Sequence, residues 1–132
     1  MRQAAAKQAD QIIALDVHVV YVPIGSVTLA IPWPHPFTGV INGALSSNVN
    51  IMKRPAATVD STADNTPPHI PTLPGMSFQN APRNRGRITA GSRSVTINGK
   101  AAARHGDVAE TCNDPEDQPI GQVSAVGSVL IG

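Results

Sequence analysis

At 132 residues, with a net charge of +1 and 41% hydrophobic residues, the chain is sized for one domain with a modest core. Twelve Pro and eleven Gly against one Trp, one Tyr and two Phe exclude a helical bundle and favour short strands joined by tight turns. No run of about 18 apolar residues could span a membrane as a helix, and the basic residues are too scattered to make a nucleic-acid face.

The N-terminal stretch MRQAAAKQADQII has helical propensity, but residues 4–10 recur in two downstream segments that are not helical, so a non-helical assignment is preferred. The same stretch lacks the apolar core and cleavage site of a secretory signal, and the chain is expected to be cytoplasmic until a dedicated machine exports it. Alternating apolar and small or polar residues predict strands over 17–22 and 26–31. The segments IPWPHPFTG (31–39) and PPHIPTLPG (67–75) are expected to be proline-locked extended loops. Further strands are expected at 48–52, 94–98 and 121–131. RNRGR at 83–87 is short, broken by Gly and free of aromatics, and is expected to be a solvated loop.

An internal repeat underlies these elements. AAAKQAD (4–10), PAATVDS (55–61) and AAARHGD (101–107) each combine small residues with an acid. Upstream of the second and third copies, SSNVNIMKRPAA (46–57) and GSRSVTINGKAAA (91–103) align Val49 and Ile51 with Val95 and Ile97. The chain closes on a related GSVLIG (127–132).

Each copy is followed by one soft ligand. His18 lies eight residues after Asp10, His69 eight after Ser61, and Cys112 five after Asp107. Three quasi-equivalent units would bring these side chains around one pseudo-threefold axis, with His35 available as a fourth. Three imidazoles and a thiolate form a sound tetrahedral zinc set, although iron suits the same donors. The flanking prolines in PHP and PPHIP lower the entropy lost on coordination. Taken singly, a His is more often a hydrogen-bonded residue, and a lone Cys a small buried hydrophobe. His105 replaces Gln8 and Val59 of the other copies, so it is expected to face outward and is excluded. Asp16, two residues before His18, is expected to orient that ring as an acceptor. The acids of ETCNDPED would raise the Cys112 pKa, which argues against a cysteine nucleophile. Four candidate ligands favour a closed structural site over an open catalytic one.

INGKAAARHGD (97–107), KRPAATVDS (53–61), GSRSVTING (91–99) and the terminal GSVLIG resemble the PAAR-repeat family, named for a Pro-Ala-Ala-Arg motif. The resemblance covers nearly the whole chain. Lys7 and Thr58 stand where the family has Arg; the third copy keeps Arg104 but has Ala101 for Pro. The resemblance implies an all-β fold: a small cone of short strands and proline-rich loops, with pseudo-threefold repeats and a zinc-stapled apex. Its ligands would be His18, His35, His69 and Cys112.

It further implies a non-enzymatic spike-tip protein that caps the trimeric β-helical spike of a type VI secretion system, phage tail or related contractile particle and sharpens it for membrane piercing. The implied partners are the trimeric spike protein and possible effector or adaptor proteins, with transient contact to a target membrane and no nucleic acid. A chain of three quasi-repeats can match a C3 trimer, and a cap covers the open strand edges of a β-helix. The base residues are expected to be Val49, Ile51, Val95, Ile97, Val129 and Ile131, each serving either the spike or the core. The chain is expected to be a single domain over 1–132 with no effector extension, because it stops directly after its last strand.

The alternative is a small zinc-dependent hydrolase with water as fourth ligand and Asp16, Asp60 or Asp107 as base. Such a cone is expected to leave little room for the necessary cleft. A secreted binding module is disfavoured by the absence of a signal sequence and of disulfide pairs.

Overall fold

The computed structural model describes residues 2–72 and 75–132. Among them every regular element is a strand: β1 (Gln3–Ala4), β2 (Gln11–Ile24), β3 (Val27–Gly43), β4 (Asn50–Ile51), β5 (Arg54–Pro55), β6 (Thr62–Asn65) and β7 (Ser77–Phe78). There follow β8 (Arg85–Ile88), β9 (Thr96–Ile97), β10 (Lys100–Ala101), β11 (Val108–Thr111), β12 (Gln118–Ser124) and β13 (Leu130–Ile131). The pairs β2–β3, β6–β8 and β11–β12 form the wall of a small cone. Successive pairs join antiparallel through β3–β6, β8–β11 and β12–β2, so the wall closes on itself and leaves no open edge around its girth. The ribbons β4–β5, β9–β10 and β13–β1 form the base.

The third base ribbon shows what the terminal GSVLIG does. Gln3 pairs with Ile131 and Ala4 with Leu130, so the last strand supplies the upstream strand that the first copy of the repeat lacks. All three units are thereby complete.

The small-residue runs meet at the axis. Ala6 N–H donates to Ala103 O at 2.9 Å, Ala103 N–H to Ala57 O at 3.1 Å, and Ala57 N–H to Ala6 O at 3.0 Å, a closed cycle of backbone bonds. All three alanines are fully buried. Three backbones this close leave room for little beyond a methyl group, which accounts for the alanines. Each chain then reverses through a residue of positive φ, at Ala9 (76°), Asp60 (77°) and Gly106 (86°). A side chain closes each turn: Asp10 Oδ2 accepts from Lys7 N–H at 3.0 Å, Ser61 Oγ from Thr58 N–H at 3.0 Å, and Asp107 Oδ2 from Arg104 N–H at 2.7 Å. These local bonds, with the axial cycle, override the helical propensity of residues 4–10.

Two apolar clusters follow. Ile12, Phe37, Ile41, Ile88 and Val123 fill the wall around the three axial alanines. Ala5, Ile51, Ala56, Ile97 and Ala102 form a base cluster flanked by Val49, Val95 and Ile131.

Several sequence expectations need correction. Residues 31–39 are not a loop, because β3 runs unbroken through Pro32, Pro34 and Pro36. Thr38 N–H points away from β2 to Asn65 Oδ1 at 2.8 Å, and the three prolines share its parity. Their missing N–H groups therefore lie on the side that does not pair with β2, where Pro is tolerated. The strands expected at 17–22 and 26–31 are the distal parts of β2 and β3, joined by a two-residue turn with Gly25 at φ +60°. The expected strand 121–131 is two elements, β12 and β13. RNRGR is largely strand β8: Arg85 pairs with Asp64, and Arg87 with Asp60 and Glu110, on its outer face. The segment 67–75 carries no strand where it is described; Leu73 and Pro74 lie outside the described residues. The short strands β5, β6, β8, β10 and β11 leave no signal in the sequence, since two to four residues are too few to show a period.

Candidate metal centre

Alternation along β2 turns Asp16, His18 and Val20 inward. Asp16 is directly opposite His35 in the β2–β3 register, which brings a second imidazole to the same interior. His69 comes from the loop after β6, and Cys112 immediately follows β11. The three His rings converge: centroids are 5.7 Å apart for His18–His35, 5.1 Å for His18–His69 and 5.4 Å for His35–His69. Phe78 covers two of them, at 6.0 Å from His18 and 5.2 Å from His35.

Asp16 lies at the middle of the cluster. Its Oδ2 is 2.8 Å from His69 Nε2 and 3.4 Å from Cys112 Sγ, while Oδ1 accepts from Thr111 Oγ1 and, at 3.5 Å, from Asn113 Nδ2. One donor atom from each of Asp16, His18, His69 and Cys112 lies within 4.8 Å of the others. His35 stands beside this group rather than within it. Its Nδ1 is held by Trp33 O at 2.8 Å, and that bond fixes the ring.

The residues fit a bound metal. Both ring nitrogens of His18 and Nε2 of His35 are buried without a hydrogen-bond partner, a costly arrangement unless they serve as ligands. Asp16 is fully buried, and neither Lys nor Arg is among its bonding partners. A divalent ion would answer both deficits.

Burial lowers the pKa of His18 and of His35 below the ordinary 6.5, which favours the neutral, ligating form. Burial, reinforced by Asp16, pushes the Cys112 thiol up to about 12. Without a metal this sulfur keeps its proton; coordination removes it.

All four residues singled out from the sequence reach this region. The expected role of Asp16 is corrected: its carboxylate bonds the ring of His69, while the acid nearest His18 is Asp114, at 3.6 Å from Nδ1. Period-two spacing put Asp16 on the face of His18, a signal that could have marked it as a cluster member. Asn65 and Asn84, which position His69, had no such signal: Asn65 Nδ2 is 3.2 Å from its Nδ1, and Asn84 Oδ1 accepts its backbone N–H at 2.7 Å. His105 is exposed, with its Nδ1 accepting from Ala125 N–H at 3.2 Å. Asp60 and Asp107 are committed to ion pairs with Arg87 and Lys100 and with Arg104.

The expectation of little room for a cleft is overturned. A cavity of about 590 Å³ opens beside His18 and Cys112, lined by Arg83, Glu110, Asn113, Asp114, Glu116 and Asp117 among others. The loop 113–117 that lines it is tied to β2. Val17 N–H donates to Asn113 Oδ1 at 2.6 Å and Val19 N–H to Asp114 Oδ2 at 2.8 Å.

At the base, Ile51 and Ile97 are buried, Val49, Val95 and Ile131 are half-buried, and Val129 is exposed. The family model for the PAAR motif matches residues 33–110, more than half of the chain. His35 and His69 lie inside that interval, and His18 and Cys112 outside it. No curated protein and no solved structure matches the chain.

Proposed function

Because the chain belongs to the PAAR-motif family, we propose that it is the tip of the spike of a contractile injection machine, seated by its base on the end of a trimeric β-helical spike. The observation that carries this reading is the pseudo-threefold base. Ala5, Ala56 and Ala102 donate equivalent backbone bonds to Val129, Val49 and Val95, at 2.9, 3.0 and 3.0 Å. Equivalent apolar residues thus recur around one axis, and one chain can meet three identical subunits. Ile51 and Ile97 mainly fill the base core, which leaves Val49, Val95 and Val129 as the principal spike contacts, with Ile131 at their margin.

The bound metal is zinc, held by His18, His35, His69 and Cys112. Nitrogen and sulfur donors in this number suit a closed tetrahedral site, and the unpartnered His35 Nε2 supports including that ring. Zinc would supply a structural cross-link between the three wall units, with no catalytic role. Asp16 holds His69 and balances the charge.

The opposite end suits penetration. The β2–β3 ribbon beyond Asp16 and the sequence of residues 66–82 contain no Asp, Glu, Lys or Arg. Tyr21, Ile24, Val27 and Leu29 are exposed near the ribbon's turn. At the turn of the ribbon the absence of charge avoids the cost of about 2.5–3.5 kcal/mol for each Lys, Arg or Asp taken to a bilayer centre. The protein would wait in the cytoplasm and leave the cell with the spike.

Native mass spectrometry of the chain mixed with a trimeric spike protein from the same organism tests the reading. One chain per trimer is expected, and lost when Val49, Val95 and Val129 are all changed to Asp. No complex, or three chains per trimer, would sink it.

A further inference from the structure

The cleft beside the metal centre carries four carboxylates, Glu110, Asp114, Glu116 and Asp117, against one guanidinium, Arg83. Two of the acids already have partners: Glu110 pairs with Arg87 at 2.9 Å, and Asp114 accepts from Val19 N–H. The side chains of Glu116 and Asp117 form no hydrogen bond or ion pair among the described residues, and both are exposed. The inner end of the cleft is lined by His18 and Cys112. His18 is 1% exposed, and both of its ring nitrogens lack a hydrogen-bond partner. Asp114, which lines the same cleft, lies 3.6 Å from His18 Nδ1.

We propose that this acidic cleft is the access route of the metal ion: Glu116 and Asp117 draw in a hydrated divalent cation, Asp114 holds it at the threshold, and His18 and Cys112 receive it. The inference rests on the metal-centre reading of the preceding section.

The chemistry supports the sequence of contacts. Exposed carboxylates attract a hydrated dication and bind it weakly enough to release it. Buried imidazole and thiolate then hold a soft ion more firmly than carboxylate oxygen does. Strand pairing closes the wall on one side of the donors, at Gln11–Ile13 of β2 and Gly39–Gly43 of β3, and Phe78 covers His18 and His35 from another side, while the polar cleft reaches His18 and Cys112 themselves. Cys112 releases its proton on coordination, and the carboxylates of the cleft can accept that proton.

Stopped-flow mixing of Co²⁺ with the zinc-stripped full chain tests the route, read by the ultraviolet band that a cobalt–thiolate bond gives. The double substitution Glu116→Gln/Asp117→Asn is expected to slow uptake about tenfold at low salt, with the difference closing at high salt. Equal rates at low salt, with the thiolate band forming in both proteins, would overturn the route and leave the metal centre standing. Absence of the band in the unsubstituted protein would instead remove the metal centre, and the route with it. If the stripped chain loses its fold, zinc release to an excess of chelator gives the reading. Ala81→Trp, at a residue lining the cleft, should slow release severalfold, and an unchanged rate would overturn the proposal.

Discussion

Thr58 donates its backbone N–H to Ser61 Oγ at 3.0 Å at the position where the other two turns carry ion pairs, Lys7–Asp10 at 3.1 Å and Arg104–Asp107 at 2.8 Å. The second copy carries neither the cation nor the acid at these two positions. The repeat position read as the motif arginine is therefore one half of a turn-closing pair, and Ser61 keeps the backbone bond when the charge is gone.

Restoring the pair should show this coupling. Ser61→Asp alone places an acid at a fully buried position without a cation and should destabilise the protein. The double substitution Thr58→Arg/Ser61→Asp should recover part of that loss, with a coupling of about 0.5–3 kcal/mol in a double-mutant cycle measured by urea unfolding. Simple additivity would mean that Thr58 and Ser61 do not act as a unit.

Metal content separates the roles of His35 and Asp16. His35→Ala and His69→Ala should each release zinc and sharply lower the melting temperature, because a structural zinc contributes folding free energy directly. Asp16→Asn should retain zinc with an affinity weakened about 10–100-fold, as expected of a group that positions a ligand. Full zinc occupancy in His35→Ala, together with its loss in Asp16→Asn, would exchange the two assignments.

The Asp60 carboxyl is held below its ordinary 3.8 by a hydrogen bond from Lys100 and then by one from Arg87. A depressed folded-state value means the pairing stabilises the protein fully above about pH 3.8 and fades as the pH falls through the lower folded value. In a carboxyl NMR titration, Lys100→Ala should move the Asp60 midpoint back up. An unmoved midpoint would show that the Lys100 contact does not form in solution.

Gly91 lies against the third repeat, where an added Cβ would stand 2.7 Å from Ala102 O and 3.0 Å from Ala101 Cβ. Backbone is the obstacle, so no side chain can swing aside. Gly91→Ala should cost about 1–3 kcal/mol in urea unfolding. Gly99→Ala meets no atom within 4 Å and should act only through strain at its φ of +79°.

Local chemistry made much of the molecule legible. The three small-residue runs, the residues that close their turns and the His and Cys beyond them stand in the sequence as a repeat, and the turns are fixed by contacts close along the chain. Thr58–Ser61 and Arg104–Asp107 span only three positions. Alternation marks the strands at 17–22 and 26–31, whereas the prolines from Pro32 on suggest a loop that the structure replaces with a continuous β3. Their even spacing was visible; the pairing that makes one edge tolerant of Pro was not.

The sequence by itself carried the short strands and tight turns, the threefold repetition and the candidate soft donors, because these follow from residue type and spacing. Only the tertiary structure decided that β13 completes the first unit by pairing with β1, since residues 3 and 131 are joined by nothing local. It likewise set Asp16 against His69, 53 positions away, and left an acidic cleft beside His18. Ligand types are carried by the chain, but the ring that faces each carboxylate is settled by strand parity and closure of the wall, which exist only once the three units have met.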